Sequence, residues 1–129
     1  MLKSLRLKNA LELVNLSYNY ADIGADHGYL AESMLQEGVK LVQVVENKIG
    51  PMEHAKANLA QYDHVIYSLS DGLSDLDPRI DAVTICGMGG LNIIGIIDAH
   101  LTLAQNLKQL ILQPNSKIHE LNNVLQISH

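Results

Sequence analysis

The residues best suited to chemistry lie in one glycine-containing stretch, Asp22-Ile-Gly24-Ala-Asp26-His-Gly28. Gly24 can adopt the backbone angles of a tight turn and lets a ligand approach the main chain closely. Gly28 would allow the start of a helix to pack against a strand, and exposed N–H groups at such a helix start attract carboxylate groups. The stretch therefore predicts a turn between a strand and a helix that binds a nucleotide-type ligand.

The carboxylates of this loop favour one class of ligand. The loop departs from the dinucleotide pattern G-x-G-x-x-G because Asp26 stands in the place of the central glycine. Asp22 and Asp26 would repel a pyrophosphate, whereas they would attract an ammonium or a sulfonium group. The pair thus favours S-adenosylmethionine over NAD. A purely structural role stays open, since both could serve the turn and Asp26 could be the N-cap of the next helix.

Two more acidic residues follow later predicted strands. Glu46 comes 18 positions after Gly28, close to the spacing at which a carboxylate accepts hydrogen bonds from both ribose hydroxyls. Asp71 lies in Ser70-Asp-Gly-Leu73, where it would accept from the amino group of an adenine or form a plain Asp-Gly turn. Acidic residues after three successive strands predict one binding site at the carboxyl edge of a sheet.

The elements that must position these residues follow from the pattern of apolar residues. Strands are predicted over 18–23, 39–45, 65–69, 80–86 and 107–112, and helices over 2–16, 27–36, 51–61, 91–104 and 115–126. Such alternation implies right-handed crossovers and a parallel sheet with helices on both faces. The predicted fold class is α/β, a Rossmann-like, doubly wound, mostly parallel five-stranded sheet, in a single domain over residues 1–129.

Composition excludes several other classes of protein. The net charge of −5 argues against a chain that grips nucleic acid with its whole surface, because the only close basic cluster is Lys3, Arg6 and Lys8. The single cysteine, Cys86, excludes an internal disulfide and a multi-cysteine zinc site, and no metal is predicted. No apolar run approaches the ~20 residues of a membrane span, and no signal peptide is evident, so a cytoplasmic location is predicted.

Together these motifs resemble the bacterial tRNA (adenine(22)-N(1))-methyltransferase family of class I S-adenosylmethionine-dependent enzymes. The matching segments are Leu5-Arg-Leu7, Ala21-Asp-Ile-Gly-Ala-Asp-His-Gly-Tyr-Leu30, Ser70-Asp-Gly-Leu73, Ile85-Cys-Gly-Met-Gly-Gly90 and Leu110-Ile-Leu-Gln-Pro-Asn115. The resemblance implies transfer of a methyl group from S-adenosylmethionine to N1 of an adenine in tRNA.

The resemblance also implies roles for individual residues. The cofactor would contact Asp22, Gly24, Asp26, His27, Gly28, Glu46, Asn47, Asp71, Gly72, Gly87, Met88 and Gly89. The target adenine would stack on Tyr29, Asn115 would read its Watson–Crick edge, and Asp26 would help to move a proton from its amino group. His27 and Gln113 could face the same base. Since N1 of adenine is already a nucleophile, alignment with the methyl carbon is the main requirement.

The pattern of this family continues beyond Leu-Gln-Pro-Asn with further strands and a charged helical domain suited to tRNA, whereas this sequence stops at His129. We therefore expect a domain that is incomplete at its C-terminus, with tRNA bound through a missing or separate C-terminal region. The fifth strand would expose an unpaired edge, which predicts self-association. Two alternatives stay open: a non-catalytic remnant that binds S-adenosylmethionine, and the NAD-binding domain of an oxidoreductase.

Overall fold

The computed structural model describes residues 2–115 and 125–128, in which helices and strands alternate along the chain. The strands are β1 Tyr20–Ile23, β2 Val42–Glu46, β3 Val65–Leu69, β4 Ala82–Met88, β5 Gln109–Pro114 and β6 Leu125–Ser128. The helices are α1 Leu2–Glu12, α2 Tyr29–Glu37, α3 Ile49–Asn58, α4 Gly90–Ala99 and α5 Leu101–Asn106. Among these helices none is both long and apolar enough to cross a membrane.

The strands form one sheet in the order β3-β2-β1-β4-β5-β6. The first five run parallel, and every residue of β1 and β2 is buried, as expected for strands covered on both faces. One core cluster contains buried residues of α1, α2 and α3, and the other contains buried residues of α4 and α5. The predicted α/β, Rossmann-like fold with a five-stranded parallel sheet is confirmed.

The sheet order creates the place where a ligand can bind. β1 lies between β2 and β4, so the chain leaves β1 toward one edge of the sheet and later returns on its other side. At such a switch point the connections after neighbouring strands diverge and leave a crevice at their carboxyl ends. The loops that follow β1, β2, β3 and β4 all meet at this edge because these strands are parallel.

The C-terminal part of the sheet differs from the prediction. β6 pairs antiparallel with β5, with Gln109 opposite Ser128 and Leu112 opposite Leu125. The prediction that β5 has an unpaired edge was therefore wrong, because β6 pairs with that edge. The helix predicted over 115–126 was wrong at residues 125–126, which are in β6, while its residues 116–124 lie outside the described part of the chain.

Two boundaries inside the sheet region also differ, and they affect the site. Gly87 and Met88 belong to β4 instead of to the loop after it, and the β4–β5 register shifts between Cys86 and Met88. The single helix predicted over 91–104 is divided at His100, whose φ of −139° and ψ of 53° are not helical. The consequence is that Met88 stands at the end of a strand beside the loop that follows β1.

Candidate functional site

The loop between β1 and α2 is held in a conformation that only a few residue types adopt readily. Gly24, Asp26 and Gly28 have positive φ angles of 68°, 55° and 79°. The N–H of Gly24 donates to Val45 O at 2.9 Å, which fastens the loop to the end of β2. A Cβ on Gly24 would collide with Cε of Met88. The predicted tight turn is therefore present, and a glycine at position 24 suits it on both counts.

The start of α2 corrects one structural interpretation of the loop. Gly28 is the N-cap residue of α2, and no side chain in the described part of the chain caps this helix, so Asp26 is not its N-cap. A Cβ on Gly28 would lie 3.2 Å from Cδ1 of Leu59 and 3.6 Å from Cα of Ala55. The small size of Gly28 thus allows α2 to pack against the end of α3, and not against a strand as predicted.

Glu46 occupies the carboxyl end of β2 and is tied to the same loop. Its side chain is buried, and its Oε2 accepts a hydrogen bond from the backbone N–H of Asp26 at 2.5 Å. A carboxylate offers about four acceptor positions on its two oxygens, so this bond leaves Glu46 capacity for further donors. The bond fixes the carboxylate where a pair of hydroxyl groups could reach it.

The first cavity has a volume of about 660 Å³ and lies at the carboxyl ends of β1, β2 and β3, beneath α4. Six of the predicted cofactor-binding residues line it, namely Gly24, Glu46, Asn47, Asp71, Gly72 and Met88. Ser70 also lines it, and its buried hydroxyl has no hydrogen-bond partner within the described residues. A buried hydroxyl without a partner is costly, so a ligand that bonds to it would gain affinity.

The second cavity has a volume of about 470 Å³ and lies on the other side of Gly24, which lines both. Seven residues that were predicted to contact the cofactor or the target adenine line it, namely Asp22, Gly24, Asp26, His27, Tyr29, Gly87 and Gln113. Because Met88 Cε crowds the shared Gly24, the Met88 side chain lies close to the point where the two cavities meet. The arrangement offers one space for a cofactor and an adjacent space for a second molecule.

The buried carboxylate of Asp22 is the main electrostatic feature of the second cavity. Thr84 Oγ1 donates to Asp22 Oδ1 at 2.8 Å. Burial raises the pKa of Asp22 to about 7, the nearby charge of Glu46 acts in the same direction, and the Thr84 hydrogen bond opposes them. Burial, with a smaller contribution from Asp22, also raises the pKa of the Cys86 thiol. Cys86 is thus kept protonated and is poorly suited to act as a nucleophile.

Three ring side chains form a stack beside the second cavity. The His27 ring lies 5.4 Å from the Tyr29 ring with an interplanar angle of 29°, and 5.0 Å from the His54 ring with an angle of 11°. Asn58 Nδ2 donates to the backbone oxygen of His27 at 2.7 Å, and His27 Nε2 lies 3.9 Å from Asp26 Oδ1. These contacts hold the predicted residues Asp26, His27 and Tyr29 next to one another.

Helix α1 closes the second cavity from the side of β5. Arg6 Nη1 donates to Asn115 Oδ1 at 3.2 Å, and Gln113 Nε2 donates to the backbone oxygen of Arg6 at 3.2 Å. The N–H of Asn115 donates to Met88 O at 2.5 Å. Of the predicted site residues, Asn115, Gly28 and Gly89 are absent from the described residues that line the two cavities.

Several side chains that contact the predicted residues or line the cavities were not predicted, among them Arg6, His54, Ser70 and Thr84. Thr84 faces Asp22 because the two are partners in the β1–β4 register, and strand order is not visible in a single sequence. His54 reaches His27 through the packing of α3 beside the loop. Only Ser70, adjacent to Asp71, and Arg6, within Leu5-Arg-Leu7, carried a local signal that could have identified them.

Comparison with known proteins agrees with this fold. A family model described as a methyltransferase domain matches residues 3–129. A Mycoplasma pneumoniae protein described as a tRNA methyltransferase is 36% identical over 112 residues, which cover 82% of this chain and 50% of that protein. The tRNA (adenine(22)-N(1))-methyltransferase of Bacillus subtilis is 33% identical over 117 residues, covering 87% of this chain and 49% of that protein.

A solved structure extends the comparison to the fold. The M. capricolum enzyme TrmK, in complex with its cofactor product S-adenosylhomocysteine, superposes with a TM-score of 0.76 at 29% identity, covering 87% of this chain and 52% of that one. Sheet order, loop and family model together define a class I methyltransferase fold, and the chain belongs to the methyltransferase-domain family. Within it, the predicted resemblance to the tRNA (adenine(22)-N(1))-methyltransferases is confirmed. The chain spans about half the length of the curated relatives it matches.

Proposed function

We propose that this chain binds S-adenosylmethionine and is the cofactor-binding part of an enzyme that methylates N1 of an adenine in tRNA. The proposal rests mainly on the position of the Glu46 carboxylate. The Asp26 N–H donates to this carboxylate, which lines the cavity at the carboxyl ends of three successive strands. The names of the relatives supply the reaction and the substrate class.

The first cavity suits the adenosine part of the cofactor. Glu46 would accept from the ribose hydroxyls, as a carboxylate after the second strand does in nucleotide-binding α/β folds. Asp71 would accept from the adenine amino group, and the unpartnered Ser70 hydroxyl would gain a hydrogen bond. The Ile96 side chain lies close to Gly72, since its Cγ2 would be 3.0 Å from a Cβ added to this glycine. It lines the cavity and offers an apolar wall for the base.

The second cavity suits the methyl acceptor. When bound, S-adenosylmethionine supplies an electrophilic methyl group on a sulfonium. Tyr29 would stack on the adenine, and Asn115, held by Arg6, would contact its edge, so that N1 is aligned for an in-line displacement. Held by these two residues, N1 would face the methyl group that the bound cofactor supplies. Asp26, exposed beside His27, would receive the proton that the methylated base releases.

The binding partners of this chain also follow from the proposed activity. We propose tRNA as the macromolecular substrate, with a separate C-terminal region as its main binding surface, because the net charge of this chain is −5. Self-association stays a prediction, although β6 covers the β5 edge that motivated it, and Leu107, Leu110 and Leu112 are buried in the core. A cytoplasmic location and a single domain over residues 1–129 also stay predictions.

Calorimetric titration with S-adenosylmethionine tests the cofactor site. Glu46→Ala should weaken binding by roughly 10- to 100-fold, because hydrogen bonds to a charged group each contribute about 1.5–3 kcal/mol. Glu37→Ala, which removes an exposed carboxylate at the end of α2, is the matched control and should bind as the unmodified chain does.

Two results would contradict the proposal. Absence of S-adenosylmethionine binding by the unmodified chain would remove the cofactor site, and preferential binding of NADH would favour the oxidoreductase alternative. Cofactor binding without methyl transfer to unmodified tRNA, tested also with a relative's C-terminal region added in trans, would favour the non-catalytic alternative.

A further inference from the structure

The stack of His54, His27 and Tyr29 extends from the second cavity to the exposed surface of α3. The His54 ring is inclined by 11° to His27 at a centroid distance of 5.0 Å, and the Tyr29 ring by 29° at 5.4 Å. His27 therefore contacts both Tyr29 and His54 and connects the two rings. His27 and Tyr29 line the second cavity, whereas His54 does not and is exposed on α3.

The packing of the core does not account for this stack. His54 and Tyr29 are both exposed, and neither belongs to either of the two core clusters. A methyl acceptor in the second cavity would contact Tyr29, which is connected to His54 through the His27 ring. His54 is therefore placed to contact a chemical group that lies next to a molecule bound in that cavity.

We propose that His54 is a stacking site for an unpaired nucleobase of RNA, next to the base that enters the second cavity. The proposal rests on the proposed function, which supplies RNA as the substrate class. Proteins recognise unstacked bases by placing them on Phe, Tyr, Trp or His rings, and this contact depends little on base identity. Stacking also needs no positive surface, which suits a chain whose net charge is −5.

Binding of a single-stranded oligoribonucleotide that contains 2-aminopurine tests the proposal directly, because stacking quenches the fluorescence of this base. His54→Ala should weaken binding roughly tenfold, within the range of alanine substitutions at base-stacking rings. His54→Phe keeps a ring without a charge and should bind within about twofold of the unmodified chain. His64→Ala is the matched control, because His64 is an exposed histidine before β3, at the opposite end of the sheet.

The stacking proposal and the proposed function fail in different ways. Equal binding by the His54→Ala and His64→Ala variants, or no quenching with the unmodified chain, would overturn the stacking site. Loss of binding in His54→Phe would show that something other than ring stacking is involved and would overturn it as well. Failure of the proposed function appears in separate measurements, as absent S-adenosylmethionine binding or absent methyl transfer. Circular dichroism checks that each variant is folded.

Discussion

At the scale of single residues, the site depends on how Asp22 is surrounded. Its position at the end of β1 followed from the sequence, but its proton affinity did not. That affinity depends on complete burial, on Thr84 across the β1–β4 register and on Glu46 at the end of β2. A carboxyl group whose pKa is about 7 gains or loses its proton near neutral pH. Both the stability of the chain and its attraction for a cationic ligand should therefore change with pH in this range.

Replacing Asp22 should change how stability varies with pH. The pKa of Asp22 is about 7 in the folded chain and 3.8 as the reference value, so between these values the folded state binds the additional proton. The free energy of unfolding that this group contributes therefore falls as pH rises through this window, by up to about 1.4 kcal/mol per pH unit. Asp22→Asn should remove that slope, while its amide oxygen can still accept from Thr84.

Urea unfolding of both chains between about pH 4 and pH 8 measures this difference. Asp98→Asn, at an exposed position on α4, is the control and should follow the unmodified chain. Parallel stability curves for Asp22→Asn and the unmodified chain would contradict the raised pKa.

At the scale of elements, the helices position the loop as much as the strands do. α2 begins directly after the loop at Gly28, and α3 packs close to that glycine through Leu59 and Ala55. From the sequence, Gly28 was predicted to let this helix start pack against a strand. The actual partner depends on the approach of two helices on the same face of the sheet, which local patterns do not specify.

Gly28→Ala should destabilise the chain by about 1–3 kcal/mol. A side chain at a φ of 79° is strained, and its Cβ would press on Leu59. Gly95→Ala is the matched control, because Gly95 is inside α4 and, apart from its chain neighbours and the backbone of its own helix, no atom of the described residues comes within 4 Å of its added Cβ. It should raise stability by up to about 1 kcal/mol, since alanine is the better helix former. Denaturant unfolding compares the two, and equal changes would contradict the packing described.

At the scale of the whole molecule, the site joins the two halves of the core. The first cavity includes residues from both sides of the switch point, with β2 and the loop after β3 on one side and β4 and α4 on the other. A ligand held by residues of both halves stabilises the folded chain as a unit, because it binds the folded state and not the unfolded one.

S-adenosylmethionine at about 100 times its dissociation constant should raise the free energy of unfolding by about 2.7 kcal/mol. Hydrogen exchange should show added protection in β2 and in β4 together. With Glu46→Ala at the same ligand concentration, most of the increase should disappear. Protection confined to one half of the sheet would contradict a site that spans the switch point.

The sequence by itself determined the alternation of helices and strands, the turn at Gly24 and the acidic residues at Asp22, Glu46 and Asp71. These follow from local periodicity and from the rule that parallel strands end at one edge. Tertiary structure alone decided the division into two cavities at Gly24, the β1–β4 contact of Thr84, the ring stack with His54 and the pairing of β6. Each of these joins residues far apart in the chain, so it depends on strand order and helix packing, which no local pattern encodes.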